Sequence, residues 1–399
     1  MPPVEFVLFG LTLLGVALLH HRTLEVALAG LATIIFWKFI GPGFDAGPGL
    51  DGLLDHLAHE WVTLVNLFAL LTGFTILARH FEATRLPDLL PALLPDDWKG
   101  GFLLLAMVFL MSGFLDNIAA AMIGGTLAAS VFRNRLHIGY LAAIVGASNA
   151  GGAGSVIGDT TTTMMWLEGV SPALVLPAYL AAGAAFLVFA IPASLQQQRA
   201  SPIVRDPPHG IRVDWTRLSV VGALLGVTVT TNVLLNQRAP ALADRFPVLG
   251  AAVWTAIVLT APLRRPDWAL LPSAARGSVF LLALVLCASL MPVESLPPAS
   301  WQTTLGLGFL SAVFDNIPLT KLALEEGGFD WGCLAYSVGF GGSMIWFGSS
   351  AGVALSNRFP DARSAGAWLK SGWHVVLGYL VGFFVLLLTL GWQPYVVPD

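Results

Sequence analysis

Residues 147 to 166 read ASNAGGAGSVIGDTTTTMMW and set a carboxylate, an amide and a row of hydroxyls inside otherwise apolar sequence. Gly151, Gly152, Gly154 and Gly158 fall where a membrane helix would run, and glycine tolerates the backbone angles and close approach at which a helix unwinds. Unwound backbone at membrane depth survives only where protein buries it or it lines a watery cavity. Asn149 and Asp159 are expected to project into such a gap beside carbonyls released from the helical ladder, which is how broken helices coordinate small cations. Ser148 precedes them. Thr160 to Thr163 span a full helical turn, so at most two of the four, Thr160 and Thr161 by preference, can face the gap. The others are expected to bond back to the backbone.

Composition fixes the solvent. With 56% hydrophobic residues, 11% charged and a mean hydropathy of +0.76, the chain reads as an all-α polytopic membrane protein. The formal net charge of -4 is spread over short loops, which leaves no clustered basic footprint for nucleic acid. Cys287 and Cys333 lie in apolar runs without metal-ligand spacing, so packing is the expectation and no structural metal or cofactor is expected.

Apolar runs of spanning length occur at about 4 to 20, 24 to 40 and 61 to 79, the last two separated by an acidic loop, 41 to 60. No cleavable leader is expected, because Glu5 stands near the start without a basic region and no A-x-A site follows. A proline-bearing amphipathic stretch, 85 to 101, is expected at the interface. From 102 to 132 some thirty apolar residues are interrupted by Asp116-Asn117, with Arg79, Arg85 and Lys99 before and Arg133 and Arg135 after. Basic residues gather on the cytoplasmic side, so this piece reads as a re-entrant hairpin, within 101 to 135, whose tip carries Asp116 and Asn117. The broken span follows at 138 to 167, then a span at 172 to 195.

The second half has spans at about 218 to 235, 247 to 263 and 277 to 291, then repeats the devices. Asp315-Asn316 interrupts a second hairpin, 300 to 326, whose flanks are acidic. A glycine-rich broken span occupies 330 to 356, with GFGGSMIWFGSSAG at 339 to 352, and a last span covers 366 to 391. The spacing supports duplication, since 315 - 116 = 199 for the two Asp-Asn pairs and 342 - 152 = 348 - 158 = 190 for matching glycines. The opposite charge on the hairpin flanks makes the repeats inverted, as in secondary transporters. The expected division is an N-terminal span over 1 to 23, a first inverted repeat over 24 to 195, a linker loop and connecting span over 196 to 246, and a second repeat over 247 to 399. About ten spans and two hairpins, with the amino terminus outside, place sixteen of the twenty Lys and Arg in cytoplasmic segments.

Four pieces, LDNIAAAMIGG, ASNAGGAGSVIGDTTTTMMW, FDNIPLTKLAL and LAYSVGFGGSMIWFGSSAGVA, resemble in order and spacing the NhaD-type sodium/proton antiporters of the ion transporter superfamily. The resemblance runs from about Val65 to Leu388. It implies paired ion sites at the hairpin tips and unwound spans, a homodimer, an elevator-like movement of a transport domain, and a multi-pass place in a bacterial inner membrane. Two departures stand out. Ile118-Ala119-Ala120-Ala121 replace the hydroxyls that follow the first Asp-Asn pair in relatives, and Lys321 stands five residues beyond Asn316, where relatives are apolar or small.

The expected activity is therefore exchange of Na+ or Li+ for protons, with small inorganic ions and the lipid bilayer as partners. Asp116, Asn117, Ser148, Asn149, Asp159, Thr160, Thr161, Asp315, Asn316, Ser343 and Ser349 are the expected ion- or proton-binding residues. Lys321 is expected to stand in for a cation or pair with Asp315. A carboxylate held in the bilayer is functional by default, although Asp116 and Asp315 also suit helix capping. An ion-coupled anion transporter is the alternative, and an intramembrane aspartyl protease a remote one, since GSVIGD is not the GxGD of such enzymes. His374, inside the last span, is set apart from the other, interfacial histidines.

Overall fold

The computed structural model describes residues 3–19, 22–44, 47–86, 94–203, 212–238, 242, 245–292, 296–314 and 316–395. The apolar runs are helices, and no strand occurs among the described residues. In chain order these are α1 (Val4–Leu18), α2 (Thr23–Ile40), α3 (Gly49–Glu82), α4 (Trp98–Ser112), α5 (Asn117–Val131), α6 (Ile138–Gly152), α7 (Thr160–Leu167), α8 (Pro172–Val175) and α9 (Ala178–Ala200). The second half continues with α10 (Trp215–Arg238), α11 (Val248–Thr260), α12 (Leu271–Ser289), α13 (Trp301–Ser311), α14 (Asn316–Glu326), α15 (Trp331–Gly341), α16 (Ser350–Arg358), α17 (Ala365–Ser371) and α18 (Trp373–Leu390). Five stretches, Thr23–Ile40, Gly49–Glu82, Pro172–Ala200, Trp268–Ser289 and Trp373–Leu390, are long and apolar enough to cross a membrane.

Three local expectations are corrected. The acidic loop at 41 to 60 is helical from Gly49 onward, because Asp51, Asp55 and His59 recur every fourth residue on one exposed face and the i,i+4 spacing suits a helix. Of the amphipathic stretch at 85 to 101, residues 87–93 lie outside the described residues, and Trp98 to Gly101 are the first turn of α4, opened by the Asp97 side chain accepting from the Lys99 amide. The last span is divided at Gly372 into α17 and α18.

The helices sort into two groups. In one, α1, α2, α3, α10, α11 and α12 pack on each other; in the other, the core, α4 to α9 pack with α13 to α18. The main links between the groups are α12 with α14 and α3 with α7 and α5. Within the core the pairing is crosswise: α5 lies on α16 and α14 on α7, while α4 lies on α6 and α13 on α15.

Serine and glycine set these contacts. Ser112 Oγ donates to the Ser148 carbonyl at 2.5 Å and Ser311 Oγ to the Val338 carbonyl at 2.7 Å. These positions repeat at the sequence offsets, 311 - 112 = 199 and 338 - 148 = 190. A Cβ on Gly151 would strike the Phe109 carbonyl, and one on Gly341 the Gly308 carbonyl. At the end rich in arginine, Arg264 Nε lies 2.8 Å from Asp214 Oδ2 and Arg79 Nε 3.4 Å from Asp267 Oδ2. At the other end His56 Nε2 meets Ser289 Oγ at 2.9 Å, and the Trp331 indole donates to the Tyr395 carbonyl at 3.0 Å. Ends expected on one side of the membrane thus meet each other.

Candidate ion site

Two helix openings face each other in the core. The first hairpin turns between α4 and α5, where Asp116 is the N-cap and its Oδ2 accepts from the Ile118 amide at 3.1 Å. The broken helix leaves 153 to 159 between α6 and α7. Asp159 is the N-cap of α7, yet its side chain makes no capping bond to the backbone. Its carboxylate instead takes bonds from side chains: Asn117 Nδ2 donates to Oδ1 at 3.2 Å, and the Thr161 hydroxyl donates to Oδ2.

The amide of Asn117 also donates to Asn149 Oδ1 at 3.2 Å, and Asn149 Nδ2 donates to Ser343 Oγ at 2.9 Å. Hairpin tip, first broken helix and second broken helix are joined through buried polar side chains. Burying such groups is costly unless they are hydrogen-bonded, so the network fixes their positions. Thr162 and Thr163 bond back to the Asp159 carbonyl, each at 2.9 Å, and to the carbonyls of Ser155 and Val156 in the break. They fasten the start of α7 and leave Thr160 and Thr161 beside the carboxylate.

A cavity of about 310 Å³ is lined by Asp116, Asn117, Asp159, Thr160, Asn316 and Ser350 from the core. Its opposite wall includes Leu71, Phe74 and Thr75 of α3 and Ser273 and Ser278 of α12. These wall residues went unnoticed in the sequence, where they are ordinary small or apolar residues of amphipathic helices.

Other candidates fall elsewhere. Ser148 Oγ bonds back to the Val145 carbonyl at 2.9 Å, and Ser349 caps α16 by accepting from the Gly352 amide at 3.2 Å. Ser343, in the second broken helix, meets the network of the first through Asn149. Asp315 lies outside the described residues. His374 is buried at the start of α18, with Nε2 3.4 Å from Gln196 Oε1, away from the cavity. Lys321, for which Asp315 is the expected partner, has three carboxylates around it among the described residues: its Nζ lies 3.1 Å from Glu60 Oε1, 3.1 Å from Glu168 Oε1 and 2.8 Å from Glu325 Oε1, with 3% of the side chain exposed. A buried ammonium needs carboxylate partners; Glu168 caps the end of α7 and Glu325 lies in the last turn of α14, while Glu60 lies within α3.

Comparison with known proteins finds similarity to sodium/proton antiporters. The chain is 25% identical to the Na(+)/H(+) antiporter NhaD of Vibrio cholerae, over 92% of this chain and 86% of that protein. It is 26% identical to the NhaD of Alkalimonas amylolytica, over 96% of this chain and 89% of that one. Along most of its length the chain is thus similar to proteins named NhaD. Sodium/proton antiporter 1 of Arabidopsis thaliana is 25% identical over 74% of this chain, which spans about half, 54%, of the plant protein's length. No family model matches the chain.

Proposed function

We propose that this chain is a secondary transporter that exchanges a monovalent cation, Na+ or Li+, for protons. The observation that carries the reading is the convergence of Asp159, Asn117, Asn149 and Thr161 at a helix break, with Asp116 on the same cavity. Similarity to proteins named as sodium/proton antiporters supports it.

Asp159 Oδ1 and Asn149 Oδ1 both take hydrogens from one amide nitrogen. A half-turn of the Asn117 amide would exchange that nitrogen for Oδ1, so three oxygens would converge on one point. Hard cations take such oxygen ligands. When the cation leaves, a carboxylate in an apolar surrounding lacks compensation, and desolvation favours taking a proton instead. One carboxylate claimed by either cation or proton makes the two exclusive, and exclusivity is what exchange requires. Asp116 on the same cavity serves as a second acceptor. Asn316 and Ser350 supply polar oxygens on the opposite half.

The crosswise packing of α5 on α16 and α14 on α7 supports two inverted repeats. The division of the packing into a core and a group of α1 to α3 with α10 to α12, linked chiefly through α12 and α3, supports an elevator-like movement of the core, with the second group as scaffold of a homodimer in a bacterial inner membrane. The test is transport by purified protein in liposomes carrying an internal pH dye. Sodium or lithium should drive proton efflux and potassium should not, whereas a pH response to an anion panel with no response to sodium would overturn the reading.

A further inference from the structure

Away from Ser273 the cavity ends against an apolar layer, and the layer against the buried ammonium of Lys321. The same order runs along the surrounding helices. On α3 it is Thr75, Phe74 and Leu71 at the cavity, then Leu67, then Glu60; on α7 it is Thr160, then Met164, then Glu168; on α14 it is Asn316 and Ile317 at the cavity, then Lys321 and Glu325. Leu67, Met164 and Ile317 pack with Leu281 and Val285 of α12 in one buried cluster. At ~1.5 Å per residue, Glu60 stands roughly 17 to 22 Å along α3 from the cavity wall. The cavity therefore reaches the arginine-rich end, near the start of α12, and is shut toward the other.

The partners of Lys321 are divided between the two groups of helices. Glu168 and Glu325 belong, with Lys321, to the core, while Glu60 belongs to α3 of the other group. We propose that Lys321 and Glu60 form an outer latch, an ion pair that holds the core against α3 while the cavity faces the arginine-rich end and parts when Asp159 turns to the opposite side. The inference rests on the reading that the core moves as a body. Stripping a buried ammonium of every partner would be prohibitive. Here Glu168 and Glu325 travel with Lys321 and keep it compensated, so release costs one contact and frees Glu60 at the membrane's outer end. Three carboxylates around one ammonium thus divide the work: two neutralise, and one fastens.

The test reads accessibility from outside. In intact cells, a chain with Cys287→Ala, Cys333→Ala and a reporter Met164→Cys in the apolar layer is treated with a membrane-impermeant maleimide. Glu60→Gln should speed labelling by about tenfold, the change expected when one state loses a decade of its preference. Lys321→Met should act in the same direction. Glu325→Gln, which removes a carboxylate from Lys321's own helix, should stay within about twofold of the parent, since the pair across the groups remains. Exchanging the charges, Glu60→Lys with Lys321→Glu, should slow labelling back toward the parent. Unchanged labelling in Glu60→Gln, or equal acceleration by Glu325→Gln, overturns the latch. If it fails alone, the parent still labels in a sodium-dependent way; if the core does not move, neither parent nor variants label, and the latch falls with that reading.

Discussion

Asp159 and Ser349 stand 349 - 159 = 190 residues apart at the same place in the two broken helices. Each is an N-cap in extended backbone, with φ -140° and ψ 139° at Asp159 and φ -141° and ψ 152° at Ser349. Behind them, a Cβ on Gly152 would lie 2.8 Å from the Gly158 carbonyl oxygen and one on Gly342 2.7 Å from that of Gly348. The backbones match, and the chemistry does not. Ser349 accepts from the Gly352 amide as an ordinary cap, while the Asp159 carboxylate takes its bonds from Asn117 and Thr161. At the same offset, Asn149 is matched by Gly339 and Thr161 by Ala351. Breaking a helix therefore needs only glycine at close approaches and a hydroxyl from the hairpin. The carboxylate at the break is a separate addition, present at position 159 and replaced by a serine at 349.

The largest effect should separate the two breaks outright. Asp159→Asn keeps the size and some of the hydrogen bonding of the side chain but cannot release a proton or offer a full charge. It should abolish sodium-driven proton movement in liposomes while the protein stays folded. Ser349→Ala should keep transport and cost about 0.5–2 kcal/mol of stability, the usual worth of an N-cap. If Ser349→Ala silences transport as fully as Asp159→Asn, the second break carries ion chemistry and the asymmetry is gone.

A smaller effect should be shared. Gly151→Ala and Gly341→Ala each push a methyl group into a carbonyl of the facing hairpin helix, and overpacking of this kind costs roughly 1–3 kcal/mol. Thermal unfolding in detergent should show both variants destabilised by similar amounts. A large loss for one and none for the other would mean that the two hairpins are not seated alike.

Much of this was legible in the sequence, for reasons that differ by region. Asp116-Asn117 stands out because a polar pair in an apolar run has few structural excuses, and the glycines of 151 to 158 mark a break because helices avoid them. The start of α3 was hidden, since Asp51, Asp55, His59 and Glu60 read as loop until helical spacing puts the first three on the exposed face. Lys321 was conspicuous, but its partners Glu60 and Glu168 are 261 and 153 residues away. Only the folded topology brings such positions together. The role of Ser343 was similarly out of reach, because its bond to Asn149 joins the two halves.

The smallest effect probes why Asn149 has a glycine as its counterpart. A Cβ placed on Gly339 would lie 3.1 Å from Asp159 Oδ2, the oxygen that the Thr161 hydroxyl donates to. The second half thus leaves out a side chain where the first half needs room for its carboxylate. Gly339→Ala should leave the chain folded and the carboxylate charged, but turn that carboxylate by a few tenths of an ångström. Ligand geometry then worsens for a cation, which needs several oxygens at fixed distances, more than for a proton, which needs one. The apparent affinity for sodium should fall about threefold, or ~0.65 kcal/mol, with the maximal rate near that of the parent. An unchanged sodium affinity would show that the oxygen facing Gly339 takes no part in holding the cation, and would leave Oδ1, which accepts from Asn117, as the ligand.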